Sequence, residues 1–183
     1  MHVGVYDHFG WAVAVTVADG SSVVDRRRLT LLEPGQPDAP IHHPGSGLDI
    51  DGVRALVDRV RASALRATAV SLDALAGTVP APIRSISLRR CPPDFPTDVA
   101  AQLRPPYEAR ADAIMYRQCI GALARARGWT VHEYDARQVE ARARALLGDR
   151  AEEVLQGPRA RLGPPWTKDH RTARAAVLAA RRR

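Results

Sequence analysis

The order in which β-prone and helix-prone segments follow one another constrains this chain more than any single motif. Val3, Val5 and Tyr6 open a strand that breaks at Asp7-His8-Phe9-Gly10, and Trp11 to Val17 reads as its hairpin partner. Asp19-Gly20 is a turn signal, and Val23 to Leu32 reads as a third strand carrying the charged run Asp25-Arg26-Arg27-Arg28. Helical periodicity then takes over. Asp49 or Asp51 caps a helix with Val53, Leu56, Val57, Val60 and Ala64 on one face, and Ala67 to Ala76 reads as a short second helix. Ile83, Ile86 and Leu88 suggest a fourth strand, closed by Cys91-Pro92-Pro93. Arg110 to Arg127 is a long helix ended by Gly128, which suits a left-handed cap.

Val131 and Tyr134 form a fifth strand. Asp135 and Gln138 have capping-box spacing for a helix ending near Gly148. Asp149 and Glu152 repeat that spacing before a shorter helix ended by Gly157. Pro158 to Pro165 reads as a loop, and Thr167 caps a final Ala-rich helix with Ala173, Ala176, Val177 and Ala180 as its buried stripe. Three antiparallel strands followed by alternating helices and strands predict an α/β fold, a mixed five-stranded sheet flanked by helices in the order β-β-β-α-β-α-β-α. The expected organisation is one domain over 1–183, with irregular loops at 33–48 and 91–108 and a frayed end at 181–183. The first loop holds four prolines and three glycines between Glu33 and Gly47, which bars regular structure.

Charge narrows the range of partners. Lys plus Arg number 27 against 20 acids, a net +7, and Lys168 is the only lysine. Arginine's planar fork suits phosphate, so a polyanion such as nucleic acid is a compatible partner, although GC-rich coding also turns Lys into Arg. Cys91 and Cys119 stand alone, with neither a CxxC metal spacing nor a disulfide framework. No basic segment leads into an apolar run, and the run Trp11 to Val17 is too short to span a bilayer. The expected setting is a reducing cytoplasm without membrane association, and a homodimer is compatible with the sequence.

The segment Thr130 to Val139, TVHEYDARQV, read with Val3 to Val17 before it and Trp166 to Ala180 after it, resembles the RuvC-like Holliday-junction resolvases of the ribonuclease H-like superfamily. The resemblance implies a ribonuclease H-like sheet. It also implies a nuclease site of carboxylates holding Mg or Mn, which activate water for attack on a phosphodiester. Carried over residue by residue, it implies that Asp7 in VGVYD is the first-strand acid and Asp169 in KDHRTA the first acid of the last helix, with His170 as a substitute ligand. Asp7, Asp169 and His170 are therefore the candidate catalytic and metal-binding residues. The pattern is incomplete: strand four runs Ser85-Ile86-Ser87-Leu88-Arg89-Arg90 without a carboxylate, and Thr172 stands where the second helix acid would be. Asp94, Glu108 or Asp112 would have to move in as replacements.

Each candidate also has a structural reading. Asp7 can simply turn the chain, and Asp169 at the second helical position favours the helix dipole. His8, His42, His43 and Asp112 are accessory candidates, His42-His43 because its loop should leave the sheet at the Asp7 end. Arg110 and Arg117, two helical turns apart, with Lys168 and Arg171, are the candidate nucleic-acid contacts. Glu133 is expected to form an ion pair with a neighbouring arginine. Trp11, Trp129 and Trp166 are expected to pack in the core or at helix starts. The reading favoured by the missing strand-four acid is a divergent, nucleic-acid-associated relative with weak or lost nuclease chemistry. The alternatives are an active metal-dependent nuclease using Asp7 and Asp169/His170, and a non-enzymatic protein scaffold. An actin- or sugar-kinase-like ATP-binding reading of VYDHFG is the weakest, because a chain of this length lacks the second lobe and shows no Gly-rich second phosphate loop.

Overall fold

The computed structural model describes residues 1–19, 22–44 and 47–180. Gly20 of the expected Asp19-Gly20 turn and the tail at 181–183 lie outside them. Five strands form one sheet in the order β3-β2-β1-β4-β5: β1 (His2–Asp7), β2 (Trp11–Val17), β3 (Val23–Thr30), β4 (Ser85–Arg89) and β5 (Thr130–Tyr134). β1, β2 and β3 pair antiparallel, whereas β4 joins β1, and β5 joins β4, in parallel. This mixed five-stranded sheet, with helical crossovers into β4 and β5, is the α/β arrangement that the segment order predicts.

Both faces of the sheet are covered, so β2 is buried from Ala12 to Val17 rather than alternating. Ala12 and Ala14 meet the main core with Val3, Val5, Leu29, Ile86 and Leu88. Val13, Val15 and Val17 point the other way, towards Ala173 and Val177. Two helices cover the first face, α1 (Ile50–Thr78) and, after the single turn α2 (Val99–Gln102), α3 (Glu108–Ala126). Asp49 caps α1 by accepting from the Gly52 amide. The two expected helices over 49–76 are one, because Thr68, Leu72 and Leu75 extend the buried face of Val57, Val60 and Ala64 and no proline interrupts it before Pro80. α3 ends as expected at Gly128, with φ +74°, and the amides of Gly128 and Trp129 turn back to the carbonyls of Arg125 and Ala124.

The second face carries α4 (Val139–Leu147), α5 (Ala151–Gln156), α6 (Pro158–Leu162) and α7 (Lys168–Ala180). α4 begins at Val139 rather than Asp135, whose carboxylate instead accepts from the Arg137 amide in a turn. At the expected loop 158–165, Pro158 starts the short helix α6, where its fixed φ suits a first helical position. α7 is buried along Thr172 to Ala179, more than the expected stripe, because it lies between the sheet and the α4–α5 layer. Its alanines allow close approach, and Gly4 allows the closest: a Cβ there would lie 1.8 Å from the Ala173 carbonyl oxygen. Arg26 fastens the sheet edge to the same layer, donating to the carbonyls of Leu162, Gly163 and Pro164.

Gly4→Ala should therefore push α7 off β1. Urea denaturation should show a loss of about 3 kcal/mol, the upper part of the overpacking range, because the obstructing atom is backbone.

Candidate nucleic-acid interface

β1, β4 and β5 run parallel, so their C-terminal ends open at one edge, where ligands of open α/β sheets commonly bind. An open groove of about 810 Å³ lies there. Asp7, His8 and Phe9 line it from β1, Arg89 and Arg90 from β4, Tyr134 to Arg137 from β5, and Arg110 and Arg117 from α3. Five arginines face two carboxylates, Asp7 and Asp135, so the groove is cationic.

Asp7 sits at its floor. It follows Val3 and Val5 on the α3 side of the sheet, and its side chain is only 2% exposed. Arg117 Nε donates to Asp7 Oδ2 at 2.9 Å, and Arg89 Nε lies 3.7 Å from Asp7 Oδ1. Arg117 also donates to the Arg90 carbonyl at 3.2 Å. Arg117 thus spends its donors internally, while Arg110 is exposed on the groove wall.

The other candidates go elsewhere. Asp169 accepts from His8 Nε2 at 3.0 Å. His170 is the third residue of α7, and its Nδ1 takes the Thr167 amide at 3.2 Å and the Thr167 hydroxyl at 2.9 Å. It accepts from the Thr167 amide as a Glu or Gln at that position does in one half of a capping box. Burial, and then the charge of Arg26, hold its ring below the ordinary histidine pKa. Thr172 donates to Glu140 at 2.8 Å. Lys168 and Arg171 lie in the first turn of α7 and do not line the groove.

Asp112 is buried on α3 and accepts from the amides of Ile41 and His42 at 3.0 and 2.9 Å. With the Tyr116 hydroxyl on the Asp38 carbonyl, it pins the Pro-rich loop 33–48 to the domain. His42 and His43 are exposed on that loop, rings 4.3 Å apart.

A hard divalent cation prefers several clustered oxygen ligands. Among the described residues no three His, Cys, Asp or Glu side chains converge as such a set. Asp7 faces two guanidinium groups, Asp169 faces His8, and the end of β4 is Arg89. The residues present do not fit a Mg or Mn centre, and no hydrolytic step follows from them.

Sequence reasoning alone passes over Arg89, Arg90 and Arg137. The signal for the first two was the missing strand-four acid, which is a reversal of charge as well as an absence. Glu133 pairs with Arg90, Nε to Oε2 3.9 Å, as expected. Trp129 and Trp166 are buried, but Trp11 is half-buried in a stack. Its ring lies parallel to His8 at 4.0 Å, with the Arg28 guanidinium 4.1 Å over it. Tyr6 follows at 5.3 Å from His8, and Arg89 lies 4.7 Å over Tyr6, so the stack runs to the groove floor.

No protein-family model matches the chain, and no curated protein matches it. Among solved structures it is similar to a T. thermophilus RuvC in complex with Holliday junction substrate. The identity is 16% and the TM-score 0.48, covering 97% of this chain and 90% of that one. A second Thermus thermophilus RuvC structure is similar at 16% identity and TM-score 0.46, over 97% of this chain and 91% of its own.

Arg117→Ala leaves the Asp7 carboxylate buried with Arg89 alone. Denaturation should show a loss of about 3–5 kcal/mol, the usual result of breaking a buried ion pair, and adding Asp7→Asn should recover part of it. A second expectation concerns pH. Burial raises the Asp112 carboxyl above its ordinary pKa, against the opposing pull of the His42 and Ile41 amides. The folded chain therefore holds this proton more tightly than the unfolded one. The stability from this group is full below the unfolded carboxylate pKa and declines as pH rises through the raised value. Asp112→Asn should flatten that part of the stability–pH curve, read as urea midpoints across the weakly acidic range.

Proposed function

We propose that this protein binds nucleic acid through the arginine-lined groove and does not cleave it by two-metal hydrolysis. The observation that carries this reading is the pairing of Asp7 with Arg117 and Arg89 on the groove floor. Where the resemblance implies carboxylates gathered around cations, this chain holds guanidinium groups. Arg90, Arg110 and Arg137 are exposed and present forked donors suited to phosphate oxygens. Asp7 acts in this reading as the anchor that holds Arg117 and Arg89, and Asp169 as the partner that orients His8. Lys168 and Arg171 contribute at most to the outer field.

The alternative is a metal-dependent nuclease using Asp7 with Asp169 or His170. It requires Asp7 to leave Arg117 and His170 to give up its cap. A non-enzymatic scaffold is the third reading.

Anisotropy titrations of fluorescent duplex and single-stranded DNA at two salt concentrations separate the three. Binding should weaken steeply with salt, with a log–log slope of about −0.9 per phosphate neutralised on duplex DNA. Arg110→Glu combined with Arg137→Glu should cut affinity at least about tenfold and shallow that slope, since each lost phosphate contact reduces it by about one. Neither Mg²⁺ nor Mn²⁺ should bring about cleavage of a branched or duplex substrate. Cleavage abolished by Asp7→Asn would restore the nuclease reading. Absence of binding at low salt would favour the scaffold.

A further inference from the structure

On the face of the sheet opposite the Asp7–Arg117 pair, Gly4, Ser87 and His132 fall in one row across β1, β4 and β5. α7 touches the sheet at Gly4, where Ala173 leaves no room for a side chain. Further along, α7 lines the space over β4 and β5 with Ala176, Ala179 and Ala180. A cavity of about 220 Å³ opens there between β4, β5, α4 and α7.

Its walls differ in chemistry. One side is apolar, formed by those alanines and Val139. The facing edge carries the Ser87 hydroxyl, the His132 imidazole and the Gln138 amide, and Arg90 and Arg142 also line the cavity. Ser87 is only 2% exposed and lines the cavity. A hydroxyl that opens on a cavity offers both a donor and an acceptor to a ligand atom. Arg90, Tyr134 and Asp135 line this cavity and the arginine groove alike, so the two spaces adjoin.

An apolar face with a mixed donor–acceptor edge matches a nucleobase. A bare phosphate would be poorly matched by the alanine wall and is better placed at Arg90. The volume falls below that of pockets for drug-sized molecules, which start near about 300 Å³, and suits a single ring system. We propose that the cavity receives one unpaired base of a strand whose phosphates cross the groove arginines, which makes an unpaired polynucleotide segment the preferred ligand. This rests on the groove reading above. A duplex can supply such a base only by unpairing it, at an energetic cost that a single strand avoids.

The test compares a fluorescent single-stranded DNA, the same strand carrying abasic sites, and the matched duplex, each at low salt. Wild type should bind the intact strand about tenfold more tightly than the abasic strand or the duplex. A 2-aminopurine in the strand should change its fluorescence on binding as it leaves its neighbours. Ala179→Leu, which fills the cavity, should abolish the preference and the fluorescence change while duplex affinity stays as in wild type. Ser87→Ala, which removes one hydroxyl without added bulk, should weaken both and serves if the leucine variant does not fold. Strand binding that is equally tight with abasic sites, or unchanged in the variants, would overturn the cavity proposal and leave the groove intact. No binding of either strand or duplex would overturn both.

Discussion

A buried carboxylate at the end of β1 organises this domain. The Asp7 side chain is only 2% exposed, and its charge is offset by Arg117 from α3, which bonds it, and by Arg89 from β4, which stands close by. That pairing joins the central strand, its parallel neighbour and the covering helix at one point. It also fixes which arginines remain available: Arg117 is consumed below, while Arg90, Arg110 and Arg137 are left on the groove surface.

The opposite face follows a different rule. There the constraint is distance rather than charge. Gly4 admits Ala173, and the alanines of α7 let the helix lie almost wholly between sheet and helices. The same small side chains that permit the contact at β1 leave the space over Ser87 and His132. Close packing at one end of α7 and an opening at the other arise from one compositional choice.

Several residues that look like chemistry are structural once the chain is folded. His170 is a capping group, Asp112 is a loop clamp, and Arg26 ties β3 to the turn before α7. Each was conspicuous in sequence because polar side chains at helix starts and loop junctions do the same local work whether or not a reaction occurs nearby. Trp11 went the other way. Its place in an apolar run suggested core packing, yet it stacks between His8 and Arg28.

Segment order and periodicity alone determined the sheet, its crossovers and the ends of most helices. These depend on alternation, helical spacing and Gly or Pro breaks, all of which are local. They missed the continuity of α1 and the helix at 158–162, where burial outweighs weak local signals. The sequence also revealed the absence of an acid on β4, but not its consequence. That Arg89 and Arg117 would turn to Asp7, and that Ser87 would face a cavity shared with Arg90, depends on strands far apart in sequence meeting in a particular register. Such contacts arise from side-chain direction and long-range packing, and only the tertiary structure decides them.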